Sequence, residues 1–384
     1  MELELKLAFK NLFGARLRTL LNVLVLSFSF VIIIFLNSIM DGWDQQAQKD
    51  SIEWDFGYGH LINEKFDPLD PYTILDGHGK IPEETIGLTP ILERQASIYP
   101  QGRIMSVILK GISSEQTILK LPTNILKESK EEFPVIIGKR LAEACKLNKG
   151  DHVQVRWRDS KGTYDANMLS IVEIFDSNVP NIDNGKIWID IKKLWGMTSL
   201  ENEASYFIVE DKFKNPELPK WNFKSQYALL KSLKDLINQK KTGQSVIYSL
   251  LLAIALLAIF DTQILSIYRR QKEIGTYIAL GMTRLRVVRL FTIEGSVYSI
   301  LALVVGSIYG VPFFIYMSKA GFPIPPADQK MGIALADVIY PVYGLKLILI
   351  TVLTVIISAT IVSYLPARKI AKLNPVLALK GKKQ

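Results

Sequence analysis

Thr19–Met40, TLLNVLVLSFSFVIIIFLNSIM, is the stretch whose reading decides the fold. About 22 residues pass without a charge, enough at roughly 1.5 Å per residue to cross a hydrocarbon layer of about 30 Å. Basic residues precede it, as they would a signal peptide. The run, however, exceeds the usual signal core and ends in Met40-Asp41-Gly42-Trp43 rather than a small-x-small site, so it reads as a retained anchor. Three further runs follow. Val246–Tyr268 is interrupted by Asp261, Leu290–Met317 carries Glu294 near its start, and Tyr343–Leu365 contains Lys346.

Composition agrees with a chain that is part membrane and part soluble. It is 49% hydrophobic and 22% charged, with mean hydropathy +0.19. That is too apolar for an ordinary enzyme and too charged for a bundle wholly in lipid. The net charge of +9 sits beside the apolar runs rather than on one soluble face, which fits the cytoplasmic bias of membrane proteins and argues against nucleic acid as a partner. The single cysteine, Cys145, has no intrachain partner and no metal-type spacing around it.

Lys and Arg near the runs set the orientation. Lys6, Lys10, Arg16 and Arg18 precede the first run; Arg269, Arg270, Lys272, Arg284, Arg286 and Arg289 lie between the second and third; Arg368, Lys369, Lys372, Lys380, Lys382 and Lys383 follow the fourth. All three sets belong inside, so both termini are expected in the cytoplasm. The remaining connections face out.

Between the first two runs the sequence becomes that of a soluble α/β domain of about 200 residues. Short β-branched runs (Ile104–Leu109, Val135–Ile137, His152–Trp157, Leu169–Phe175, Lys186–Ile191) alternate with Gly, Pro and Asn-Asp turns, and one helix is expected over Lys139–Cys145. From Phe223 to Tyr268 only Gly243 interrupts a helical spacing that includes Leu229, Leu230, Leu233, Leu236 and Ile237. One long stalk, or two helices hinged at Gly243, both satisfy it. Leu5, Ala8, Phe9, Leu12 and Phe13 share one face, as an interfacial helix would need. The expected architecture is a membrane protein of four transmembrane helices with a large mixed α/β extracytoplasmic domain inserted between helices 1 and 2. In residues, this is an interfacial helix over 1–18, spans over 19–40, 244–268, 290–317 and 343–365, the α/β domain with its stalk over 41–243, a coupling loop over 269–289, an outer loop over 318–342 and a tail over 366–384.

No chemistry of its own is legible. The Gly-Lys pairs at Gly79, Gly138, Gly185 and Gly381 lack the remainder of a phosphate loop, and His60, His78 and His152 are scattered without a catalytic or metal motif. Catalytic, cofactor and metal residues are therefore expected to be none. Asp261 is the ionisable residue of interest. About eight residues, or roughly 12 Å, from Arg269, it is expected to face a cavity or another subunit, or to bond locally to Thr262, Gln263 or a neighbouring span.

The loop after the second run reads Arg270-Gln271-Lys272-Glu273-Ile274-Gly275, then Ala279-Leu280-Gly281 and Arg284, leading into Glu294-Gly295. It resembles the signature of the FtsX-like permease superfamily of ABC transporters. Pro366-Ala367-Arg368 to Pro375 and Ala378-Leu379 is similar to the family's closing motif, and Asn11-Leu12 with Arg18-Thr19 to its opening one. Gly102-Arg103, Gly111-Ile112 with Glu115, and Ile137-Gly138 through Leu141-Ala142 to Gly150-Asp151 resemble the lipoprotein-releasing branch. Macrolide-type permeases resemble the chain in topology but usually carry a fused ATPase, absent from this sequence, which favours the lipoprotein-type arrangement with a separate ATPase.

The resemblance implies the permease subunit of an ABC transporter working by mechanotransmission. ATP would sit on a separate cytoplasmic ABC ATPase dimer. A second permease, identical or related, would complete the unit in a bacterial inner membrane. The cargo implied is a lipoprotein extracted from membrane lipid. Export of a peptide or small amphiphile, and a non-transporting signalling permease, are the alternatives. Physically, a short helix Glu273–Leu280 closed by Gly281 is a compact element for an ATPase to push on. Glu273 is expected to pair with a basic residue there, while Gly275 and Ala279, four apart, are expected to share its contact face.

Overall fold

The computed structural model describes residues 16–82, 87–211, 218–324, 336 and 338–372. The expected interfacial helix and the closing motif beyond Lys372 lie outside these residues. Two compact units form, one from Met1–Trp43, Ile237–Phe322 and Ile339–Gln384, the other from Asp44–Leu236 and Pro323–Val338.

In chain order, helix α1 (Arg16–Ser51) ends in a π-helical turn, Ile52–Phe56. Strands β1 (Gly59–Asn63), β2 (Gly79–Lys80), β3 (Leu88–Ile98) and β4 (Met105–Ile112) follow, then α2 (Asn124–Glu128), β5 (Pro134–Gly138) and α3 (Lys139–Cys145). After them come β6 (His152–Arg158), β7 (Tyr164–Phe175), α4 (Pro180–Asp183), β8 (Lys186–Asp190) and α5 (Ile191–Thr198). The second unit finishes with β9 (Glu203–Ala204), β10 (Tyr206–Val209) and β11 (Trp221–Ser225). Then come α6 (Gln226–Arg269), α7 (Gln271–Ala279), α8 (Arg284–Ala320) and α9 (Leu345–Ala367).

The second unit is built on a nine-stranded sheet ordered β11-β1-β10-β3-β4-β8-β5-β7-β6. A further antiparallel pairing of β3 with β6, Ser97 opposite Arg156, closes six of these strands into a ring. Alternation explains the filling. Val153, Val155 and Trp157 of β6 point inward while His152, Gln154, Arg156 and Arg158 stay exposed. Val107, Leu109, Val135, Ile137, Ile187 and Ile189 join them in one core. A second core, around Trp188, Ile136, Ile91 and Phe175, lies under the helical segments. The unit has more helix than the single element expected. α5 in particular carries Ile191, Leu194 and Met197 into the first core, and its N-terminus is capped by the Asp190 carboxylate accepting from the Lys192 amide.

Among the described residues, four helices are long and apolar enough to cross a membrane, by length and composition. Their shared core joins Leu26 and Phe30 of α1, Ala255 and Ile259 of α6, Val297, Tyr298 and Ala302 of α8, and Val355 and Ala359 of α9. Polar contacts lock the seams. Asn22 Nδ2 donates to Thr262 Oγ1 at 2.7 Å between α1 and α6, and the Ser296 and Thr360 hydroxyls meet at 2.9 Å between α8 and α9. α6 runs without a break through Gly243, about 66 Å at 1.5 Å per residue. The hinge alternative does not form, and residues 223–225, read from sequence as helix, belong to strand β11.

Candidate coupling site

The segment between α6 and α8 is short because its ends are fixed by local chemistry. Arg270 leaves helical geometry (φ −104°, ψ 19°) and separates α6 from α7. At the other end Gly281 takes φ +94°, a left-handed conformation that glycine adopts without strain, and its amide donates to the Ile278 carbonyl. Extended Thr283 then starts α8.

α7 is tethered along one side. Ile274 packs into a cluster with Ile267 of α6, Val287, Val288 and Phe291 of α8, and Ala367 and Ile370 at the end of α9. Tyr277, Ile278 and Met282 lean on it. Arg270 holds the joint electrostatically. Its Nε donates to Glu273 Oε2 at 2.7 Å, its Nη1 to Glu294 Oε2 at 2.9 Å, and the guanidinium lies 4.8 Å over the Phe291 ring. The Glu294 side chain is only 5% exposed, so this pair is largely out of water and charge-assisted. Arg284 adds a bond from Nη1 to the Ala371 carbonyl at 2.9 Å, linking the start of α8 to the turn after α9.

The opposite side of α7 is open. Lys272, Glu273, Thr276 and Ala279 are exposed, and Leu280 is 81% exposed. An apolar side chain presented at the tip of a braced helix is the form a docking element takes.

The residues singled out from sequence divide accordingly. Glu273 bonds to Arg270 of its own chain and stays exposed. Gly275 is buried beside Ile274, so it permits close packing within this chain, and of the expected pair only Ala279 is exposed. Gly281 closes the helix as expected. Asp261 is exposed, immediately before buried Thr262 and Gln263. It bonds to no described residue. Thr262 instead takes Asn22, and the Gln263 Nε2 approaches Gly295. The local bond expected for Asp261 is therefore absent among the described residues. Arg270 as a hub and Leu280 as an exposed tip were missed from sequence. The signal for the first was an arginine at a helix junction, with acids three and 24 positions on.

Comparison with known proteins places these features. Residues 245–375 match the family described as FtsX-like permease C-terminal. Over 328 residues, covering 77% of each chain, the protein is 22% identical to "Lipoprotein-releasing system transmembrane protein LolC" of Xylella fastidiosa. Over 152 residues it is 27% identical to "Macrolide export ATP-binding/permease protein MacB" of Wolinella succinogenes, covering 38% of this chain and 21% of that one. Among solved structures, the periplasmic region of MacB from Actinobacillus actinomycetemcomitans aligns with TM-score 0.30 and 7% identity over 50% of this chain and 98% of that one. The match to residues 245–375 spans α7, the Arg270–Glu294 joint and the helices that brace them, and the chain thus carries an FtsX-like permease domain.

Proposed function

We propose that this chain is the membrane subunit of an ABC transporter in a bacterial inner membrane, with both termini in the cytoplasm and the 44–236 unit outside. The observation that carries the reading is the coincidence of the FtsX-like match with a short helix braced on one side and open at Ala279 and Leu280 on the other. A cytoplasmic ABC ATPase docks on that open side. Because Arg270 and the Ile274 cluster tie α7 to α6, α8 and α9, a push on α7 is delivered to three helices together. ATP binds on the partner; the sequence here has no phosphate loop.

The cargo is proposed to be a lipid-anchored protein drawn from the outer leaflet, on the basis of similarity to a lipoprotein-releasing protein over 77% of both chains. A second permease covers Asp261, whose exposed carboxylate in an apolar helix needs a polar neighbour outside this chain. Export of a peptide or small amphiphile is the second reading, supported by the shorter likeness to a macrolide exporter.

The test is affinity purification of the full chain from native membranes in mild detergent, followed by identification of what comes with it. An ABC ATPase subunit and a lipoprotein are expected, with ATP turnover lost when the ATPase is stripped away. Turnover by the chain freed of every partner overturns the reading. A small peptide or amphiphile in place of the lipoprotein selects the second cargo.

A further inference from the structure

The 44–236 unit contains a cavity of about 140 Å³ that no step of coupling uses. Asp55, His60, Glu93, Lys110 and Tyr206 line it, each less than a tenth exposed, and so do Lys186, half-buried, and Asn181, exposed. Phe56, Phe66, Ile74 and Ile108 form its apolar side. Charged groups this deeply placed are rare unless paired, and the pairing here is incomplete in a directed way. Lys110 Nζ is satisfied by Glu93 Oε1 at 2.7 Å, Tyr206 OH at 3.0 Å and the face of Trp188 at 5.0 Å. Asn181 bridges the other two charges, donating to Asp55 Oδ2 and accepting from Lys186 Nζ, both at 2.8 Å.

What is left over matters more. Tyr206 accepts from Lys110 and so retains its own O–H to donate, and Lys186 retains ammonium hydrogens beyond the one given to Asn181. On the acceptor side, one oxygen of Asp55 and one of Glu93 are not used by these bonds. His60 adds no charge: burial pushes its pKa down, against the pull of Asp55, and Nε2 meets the Asp55 carbonyl oxygen at 3.0 Å. The wall therefore holds two carboxylates and two ammonium groups. A ligand with one net charge would leave an uncompensated charge in a poorly solvated site, whereas a zwitterion adds none. The volume equals about five waters' share of the liquid, the scale of a small branched molecule. Asp55 also sits on a π-helical turn, a local geometry concentrated at functional sites.

We propose that this cavity binds a small zwitterionic amphiphile of the α-amino acid class, its carboxylate held by Lys186 and Tyr206, its ammonium by Asp55 and Glu93, and its side chain against Phe66 and Ile74. Carboxylate binding also relieves Lys186, whose pKa is held down to about 8 by burial and by the neighbouring Lys110 charge.

The experiment measures ligand-induced melting shifts and calorimetric binding on the full chain in detergent, using L-leucine, 4-methylpentanoate, which lacks its ammonium, and isopentylamine, which lacks its carboxylate. L-leucine should bind, each half-ligand should bind on the order of a hundredfold more weakly, and Lys186→Met and Tyr206→Phe should abolish the leucine shift. Lys186 stands at the mouth, so its variant keeps the fold, and its unliganded melting temperature checks this. Equal binding of either half-ligand overturns the charge argument. Failure of L-leucine and of every other standard amino acid at millimolar concentration overturns the site. Neither result bears on the permease reading.

Discussion

Arg270 is the residue on which the coupling geometry turns, because one guanidinium serves Glu273, Glu294 and the Phe291 face. Arg270→Met takes the guanidinium from a Glu294 carboxylate that is 5% exposed. Losing one partner of a buried pair costs about 3–5 kcal/mol. The variant should melt several degrees lower in detergent, with Glu294→Gln in the same chain recovering most of the loss; an unchanged melting temperature would mean the pair is idle. In the other unit, Lys186 gives a pH signature. Burial, and then Lys110, lower its folded pKa from 10.5 to about 8, so between those values the unfolded chain binds more protons than the folded one. Stability contributed through this group therefore rises as pH increases through that window. Relative to Lys186→Met, the wild type should gain melting temperature from pH 8 towards pH 10, and parallel curves would show that the shift is absent. Neither feature was legible from sequence. Periodicity reports which face a residue occupies, not which of two acids, three and 24 positions away, an arginine reaches. Gly275 shows the same limit, since its spacing to Ala279 is right for a shared face, yet Gly275 is buried beside Ile274 while Ala279 is exposed.

At the scale of elements, strands with clean alternation were legible and the others were not. His152–Trp157 predicted β6 within one residue, and Lys186–Ile191 predicted β8. β3 was missed because Pro90, Glu93, Arg94 and Gln95 break its apolar pattern, although most of the strand is buried. β10, four fully buried residues, offers no alternation to read. α5 was missed because Lys192 and Lys193 hide an apolar stripe only three residues deep. α6 resolves the alternatives left open at Gly243, which sits in continuous helix with nothing within 4 Å of an added Cβ. Gly243→Ala should therefore stabilise the chain by up to about 1 kcal/mol. If α6 acts as a rod, ATP turnover of the assembled transporter stays unchanged; stabilisation accompanied by lost turnover would show that bending at residue 243 is required.

For the whole molecule, the apolar runs, the basic connections between them and the composition of the middle segment made the broad class readable, because lipid imposes length and charge rules that survive without any alignment. The sequence did not disclose the closure of six strands into a ring, which depends on β3 pairing with β6 across some 60 residues. Nor did it disclose how α7 is braced, since that cluster draws on four separate segments. The central claim is that the open side of α7 is the contact for a separate ATPase. It is tested most directly by placing a photo-crosslinking amino acid at Ala279, and as a control at Tyr316 in α8, in native membranes. The account predicts an ATP-binding protein attached to the chain from position 279 and none from 316. Crosslinks from 279 to lipid alone, while the ATPase still copurifies, would contradict it.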